Sequence, residues 1–192
     1  MNRIAVMASG KGSTFDHLCR TLGNQVVHLT VNRSDAGAMK WAIIHGVPVH
    51  ICEKRLTQTE KWSEQIYAEI ERVNADLIVL AGFDQKIFVP ERWMGRILNT
   101  HPSLLPKYGG QGMMGLNVHR AVLQNREIET GCTVHLVDNE YDHGKILEQR
   151  IIKVQEGDTP ENDKVYKRSE KTKTQENQGK CYLPCLCPAC SP

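Results

Sequence analysis

Ile4-Ala5-Val6-Met7-Ala8-Ser9-Gly10-Lys11-Gly12-Ser13-Thr14-Phe15-Asp16-His17-Leu18-Cys19-Arg20-Thr21-Leu22 is the stretch that decides the fold. Residues Ile4 to Ala8 are apolar without alternation, as in a parallel strand buried on both faces. A glycine turn follows. Phe15, Leu18, Cys19 and Leu22 then recur at i, i+3, i+4 and i+7, the apolar stripe of a helix that Gly23 closes. A strand, a glycine turn and a helix in that order can seat an anion, because glycines admit close approach and a helix start offers N–H groups and a positive dipole end. Lys11, Ser13 and Thr14 add donors. The dinucleotide fingerprint needs a glycine where Phe15 stands, and no P-loop pattern is present. A monophosphate therefore suits the turn better than a dinucleotide or triphosphate, with an unliganded tight turn as the alternative.

Working outward, Gln25–Asn32, Val47–Ile51 and Asp76–Gly82 read as further strands, with helices at Ala36–His45 and Thr59–Val73 between them. Trp62, Ile66, Ile70 and Val73 share one face of the second helix. Strands alternating with helices imply βαβ units and a mainly parallel sheet. The expected fold is α/β, a Rossmann-like three-layer sandwich with a mostly parallel central sheet and a C-terminal hairpin-like strand pair. That pair is Thr133–Val137 and Ile146–Val154, joined by the acidic loop Asp138–Gly144, with a helix at Asn117–Asn125 before it.

Ile97-Leu98-Asn99-Thr100-His101-Pro102 reads as a strand stopped by a proline that has no N–H to donate. Asn99 and His101 are two apart, so they point to one face at the carboxyl end of the strand. Open α/β sheets bind ligands along that edge. Gly109, Gly110, Gly112 and Gly115 then form a loop directly behind it. Taken alone, Asn99 reads more readily as a turn cap and His101 as a structural side chain than as functional groups.

The 192 residues suit one domain with an extension, and a formal charge of +2 does not favour extensive nucleic-acid backbone binding. No apolar run is long enough to span a bilayer and no signal-peptide pattern opens the chain, so a cytoplasmic location is expected. Cys19, Cys52 and Cys132 read as buried, inert thiols.

Several stretches together resemble the folate-dependent formyltransferases, and within them the branch acting on glycinamide ribonucleotide. They are Ala8–Ser13, Leu80–Phe83, Asn99–Pro106, Gly131–His135, the acidic loop with Asp142 and Gly144, and Glu156–Pro160. The resemblance runs from about residue 2 to 161 and implies transfer of a formyl group from 10-formyltetrahydrofolate to the amine of 5-phosphoribosylglycinamide, in purine biosynthesis. It implies Asn99, His101 and Asp142 as the catalytic trio, with Asn99 and a protonated His101 stabilising a tetrahedral oxyanion. Asp142 would keep His101 protonated or accept the ammonium proton. Gly10, Gly12, Ser13 and Thr14 would hold the substrate phosphate. Asp84, Gln85, Lys86, Ile87, Asn99 and Asp138 would line the folate pocket, and His135 would support the site from behind. No metal is called for, the partners are the two small molecules rather than nucleic acid or membrane, and a monomer or homodimer is expected. A formyltetrahydrofolate hydrolase, another amine N-formyltransferase of the same fold, or a catalytically impaired folate- or nucleotide-binding remnant are the alternatives.

Asp84-Gln85-Lys86-Ile87 departs from the resemblance, as does Thr14 in the turn. The larger departure lies at 162–192. Where a packed amphipathic helix is expected, Asn162–Lys180 offers only Val165 and Tyr166 as apolar residues and reads as disordered or loosely helical. Cys181, Cys185, Cys187 and Cys190 crowd its end without the spacing of a structural zinc site. A change of reading frame near codon 162 would account for the shift, and resequencing the locus tests it.

Overall fold

The computed structural model describes residues 2–55 and 58–160. The readings of 162–192 and of its cysteines lie outside the described residues. Among the described residues there are seven strands: β1 Ile4–Ala8, β2 Val26–Val31, β3 Val49–Ile51, β4 Leu77–Leu80, β5 Ile97–His101, β6 Glu129–Leu136 and β7 Ile146–Lys153. Four α-helices accompany them among the described residues: α1 Ser13–Leu22, α2 Ala38–His45, α3 Thr59–Arg72 and α4 Leu116–Gln124. The hydrogen-bonded strand order is β3-β2-β1-β4-β5-β6-β7, the Rossmann-like α/β arrangement read from the sequence.

The described residues divide into two compact units, 2–99 with Leu136–Asn139, and Thr100–His135 with 140–160. In the first unit β1 pairs in parallel with β2 and β4, β2 with β3, and β4 with β5. β1 is buried at all five residues, so its apolar run needs cover on both faces. Ala5 and Met7 join Ile78, Leu80 and Ile97 in one core cluster with Trp62, Ile66 and Ile70 of α3. By strand alternation Ile4, Val6 and Ala8 face the other way. The apolar stripe of α1 is buried as its spacing predicts, through Phe15, Leu18, Cys19 and Leu22. Gly46 ends α2 in the left-handed conformation, the backbone state that suits glycine at a helix stop.

In the second unit β6 and β7 are antiparallel, with Gly131 opposite Ile151 and Thr133 opposite Gln149. β6 begins at Glu129, ahead of the expected Thr133, because its partner β7 continues to Lys153 and pairs along the added length. Cys19, Cys52 and Cys132 are free and buried, and burial pushes the Cys19 thiol up to about 11.

His28 on β2 is 4% exposed, with Nε2 3.0 Å from the Thr30 hydroxyl and its ring 6.5 Å from that of His50. Burial first, and the charge of His50 second, lower its pKa to about 4 from the usual 6.5, against a smaller opposing effect of Glu69. The unfolded chain therefore binds a proton that the folded chain refuses. Stability is fully present above pH 6.5 and falls as pH drops toward 4, by up to about 3 kcal/mol. Thermal denaturation between pH 7 and 4 checks this, and His28→Gln, which cannot titrate, should flatten the profile.

Candidate active site

β5 ends on His101 because Pro102 follows, and Asn99 two residues earlier is paired beside Leu80 of β4. The chain after His101 is fastened to β6. The Thr133 hydroxyl donates to the Ser103 carbonyl at 2.7 Å and accepts from the Leu105 N–H at 3.0 Å, while Gln149 Nε2 donates to the Leu105 carbonyl at 2.9 Å. Ser103 and Thr133 are fully buried, so Thr133 supplies partners for backbone groups that cannot reach water.

His101 is 3% exposed. Its Nε2 lies 2.8 Å from the Tyr108 carbonyl, which can only accept, so Nε2 carries a hydrogen. Its Nδ1 faces Asp142 Oδ1 at 3.4 Å. The same Asp142 oxygen lies 3.5 Å from Nε2 of the buried His135, and the Gly110 N–H donates to Asp142 Oδ2 at 3.0 Å. Burial alone would raise the Asp142 pKa. The interactions with His101 and His135 and the Gly110 N–H outweigh it and hold the carboxyl well below the usual carboxylate range. One ionised carboxylate thus sits between two imidazoles. Asp142 and Tyr108 both have left-handed backbones, with φ of 52° and 58°. Such strain persists where surrounding contacts over-determine a site.

The glycine turn after β1 is built for close approach. Gly12 caps α1 with φ 79° and makes no side-chain cap bond, and the first N–H groups of a helix have no intrahelical acceptor. A Cβ on Gly12 would lie 2.4 Å from the Ala38 Cα, so the turn is seated against the start of α2. Ser9 ties the turn to the loop after β4, donating its N–H to the Gly82 carbonyl at 3.2 Å and accepting the Asp84 N–H on Oγ at 3.0 Å.

In that loop Asp84 accepts from Asn32 Nδ2 at 2.7 Å and lies 3.7 Å from Arg33. Its carboxylate is therefore already engaged by the end of β2. Gln85 is partly buried and Lys86 exposed, whereas Ile87 is 4% exposed in the α3 core and can offer a ligand only its backbone. Asp138 precedes Asn139, whose side chain accepts the Val89 N–H at 2.8 Å and donates to the Val89 carbonyl at 3.1 Å, as a paired strand would. Tyr108, Asn32 and Arg33 touch these residues although spacing did not point to them. The double glycine after Tyr108 was the one local signal. No group of His, Cys, Asp or Glu able to hold a metal ion occurs among the described residues.

A doubly wound sheet, a glycine turn at its first helix and an Asn-x-His strand end facing an aspartate define a class. The formyl transferase family profile matches residues 2–179, and the chain belongs to that family. Its relatives are more particular: it is 35% identical over 168 residues to the chloroplastic phosphoribosylglycinamide formyltransferase of Arabidopsis thaliana, covering 83% of this chain and 58% of that protein. The chain thus spans a little over half the length of that curated relative. Among solved structures, glycinamide ribonucleotide transformylase 1 of Symbiobacterium toebii superposes with a TM-score of 0.79 at 29% identity, over 90% of this chain and 82% of that one. The phosphoribosylglycinamide formyltransferase of Brucella melitensis gives 0.77 at 30%, over 90% and 91%.

Proposed function

We propose that this protein transfers the formyl group of 10-formyltetrahydrofolate to the primary amine of 5-phosphoribosylglycinamide, a step of purine biosynthesis. The observation that carries the reading is the buried His101 held between the Tyr108 carbonyl and the Asp142 carboxylate, two residues after Asn99, in a chain of the formyl transferase family.

The amine attacks the formyl carbon and the carbonyl oxygen becomes an oxyanion. Asn99 donates an amide N–H to it, and protonated His101 donates from the Nδ1 edge. The 3.4 Å gap to Asp142 is long for a hydrogen bond, so the Nδ1–H is not committed to the carboxylate and can be given to the oxyanion. Asp142 balances the charge of the imidazolium. A carboxylate held so far below its usual range is a weak base, so its electrostatic role outweighs direct proton abstraction, and the ammonium proton leaves through water. The intermediate then collapses as the bond between the formyl carbon and N10 breaks; N10 takes up the proton relayed through water from the ammonium, so tetrahydrofolate leaves neutral and the formylated amine remains. Gly10, Gly12, Ser13 and Thr14 hold the substrate phosphate through backbone N–H groups and hydroxyls. Gln85, Lys86, the backbone of Ile87, Asn99 and Asp138 contact the folate, with Asp84 shaping that loop through Asn32. His135 steadies Asp142 from its other side.

Incubating the protein with both substrates and following the absorbance of released tetrahydrofolate tests the reading. Turnover with the glycinamide ribonucleotide, and none with water alone, is the expected result; turnover with water alone would mark a hydrolase. Gly12→Ala places a Cβ against the Ala38 backbone at a left-handed position. It should cost ~2 kcal/mol or more in thermal unfolding and raise KM for the phosphorylated substrate at least ~10-fold, with little change in KM for the folate.

A further inference from the structure

His101 faces a carboxylate with one of its nitrogens, yet its shorter contact is on the other. The Tyr108 carbonyl at 2.8 Å fixes which way the ring faces, because only with Nε2–H directed there does Nδ1 face Asp142. That carbonyl is presented by a residue with φ 58°, a backbone state that tyrosine does not hold by itself. Something must hold Tyr108 in place, and the structure shows what does.

The Tyr108 hydroxyl donates to Glu127 Oε1 at 2.9 Å, and the neighbouring Lys107 Nζ donates to both Glu127 oxygens at 2.9 and 3.2 Å. The Lys107 carbonyl in turn accepts the Ser103 hydroxyl at 2.6 Å, on the segment that carries His101 into its turn. Hydrogen bonds from Lys107 and Tyr108 keep the Glu127 carboxyl below its usual range, so it stays ionised at neutral pH.

Glu127 is itself placed by a backbone device rather than by chance exposure. Beyond the end of α4 at Gln124, Arg126 adopts φ 52°, its N–H donating to the Leu123 carbonyl at 3.0 Å, and the Glu127 N–H donates to the Val122 carbonyl at 3.2 Å. These paired bonds close the helix in a Schellman stop. The helix end therefore fixes the carboxylate, the carboxylate fixes Lys107 and Tyr108, and the Tyr108 carbonyl fixes the imidazole.

We propose that Glu127 is a positioning residue for the reaction, holding the Tyr108 carbonyl as the acceptor of His101 Nε2–H and so aiming Nδ1 at Asp142 and the reacting oxygen. This rests on the reading of His101 as the oxyanion donor, so the test includes a signal that does not depend on turnover. Glu127 touches no substrate in this account and acts only through Tyr108.

The experiment uses Glu127→Ala, Glu127→Gln and Tyr108→Phe in the full chain. It measures kcat, KM for both substrates, Tm, and the NMR signal of the His101 Nε2–H assigned in histidine-labelled protein. A small misplacement of a catalytic group can cost up to ~100-fold in rate. Glu127→Ala is expected to lower kcat ~10-fold or more at nearly constant KM for both substrates, and to bring the Nε2–H signal into fast exchange with solvent. Glu127→Gln, which still accepts the Tyr108 hydroxyl, should recover part of both effects, and Tyr108→Phe should show a share of them. An unchanged Nε2–H signal in Glu127→Ala overturns the proposal, whether or not Tm falls. If the wild-type protein turns over no substrate yet loses the signal on Glu127→Ala, the positioning stands and the assigned reaction fails.

Discussion

His101→Asn is expected to lower kcat for formyl transfer by about two to three orders of magnitude, the typical loss of one oxyanion donor in a closed site. Asparagine keeps a polar amide of smaller volume in a position that is 3% exposed, so the fold should survive. On the proposed reading it removes one of the two oxyanion donors while leaving Asn99 in place. It also leaves Asp142 with His135 and the Gly110 N–H as partners, which still compensate the buried carboxylate. Both KM values should stay close to those of the parent, because the lost interaction is made mainly in the transition state. Steady-state kinetics with each substrate varied in turn, together with binding of a non-reactive folate, checks the split. A rate within a few-fold of the parent would show that the imidazole does not meet the developing charge.

Gly131→Ala is expected to be strongly destabilising. A Cβ built on Gly131 falls 1.8 Å from the Arg150 carbonyl oxygen and 2.9 Å from a Leu104 methyl. The first is backbone of the partner strand β7, so relief requires opening the β6–β7 ladder rather than turning a side chain. Overpacking commonly costs 1–3 kcal/mol, and a clash that must move paired backbone should exceed about 4 kcal/mol. The damage would not stay local, since Thr133 on the same strand fastens the segment after His101. Chemical denaturation would show a midpoint shift, and a large fall in soluble expression is the simpler readout. A midpoint near that of the parent would mean the ladder can part at this point without cost.

These effects also show which parts of the molecule could be read from its residues. The apolar run Ile4–Ala8 and the stripe Phe15–Leu22 are local patterns, and local patterns fix strand and helix identity. The strand that ends on His101 is legible for the same reason, since an apolar run stopped by a proline is also local. Pairing across the chain was not legible in the same way. Asp84 reads as a ligand contact in a polar loop, and only the structure shows Asn32 of the neighbouring strand end holding its carboxylate. Ile87 sits in that loop by sequence and in the core by packing. Tyr108 carries no sequence signal of its part, because a backbone carbonyl has no signature in a sequence. Glu127 lies nineteen positions from the tyrosine it binds, and nothing in the intervening residues announces the meeting.

Asp142, Tyr108 and Arg126 share one property, a left-handed backbone without a glycine to make it comfortable. Each costs on the order of 1 kcal/mol or more. For anyone selecting heat-resistant versions, this is where endurance and speed part company. Glycine at 126 would relax the helix stop and keep its hydrogen bonds. Glycine at 142 would relieve the same kind of tension and take the carboxylate with it, and glycine at 108 would leave the Glu127 carboxylate with Lys107 alone. A screen for stability alone would therefore drift toward a sturdier and slower protein through these positions, and only the first of the three changes spares the chemistry.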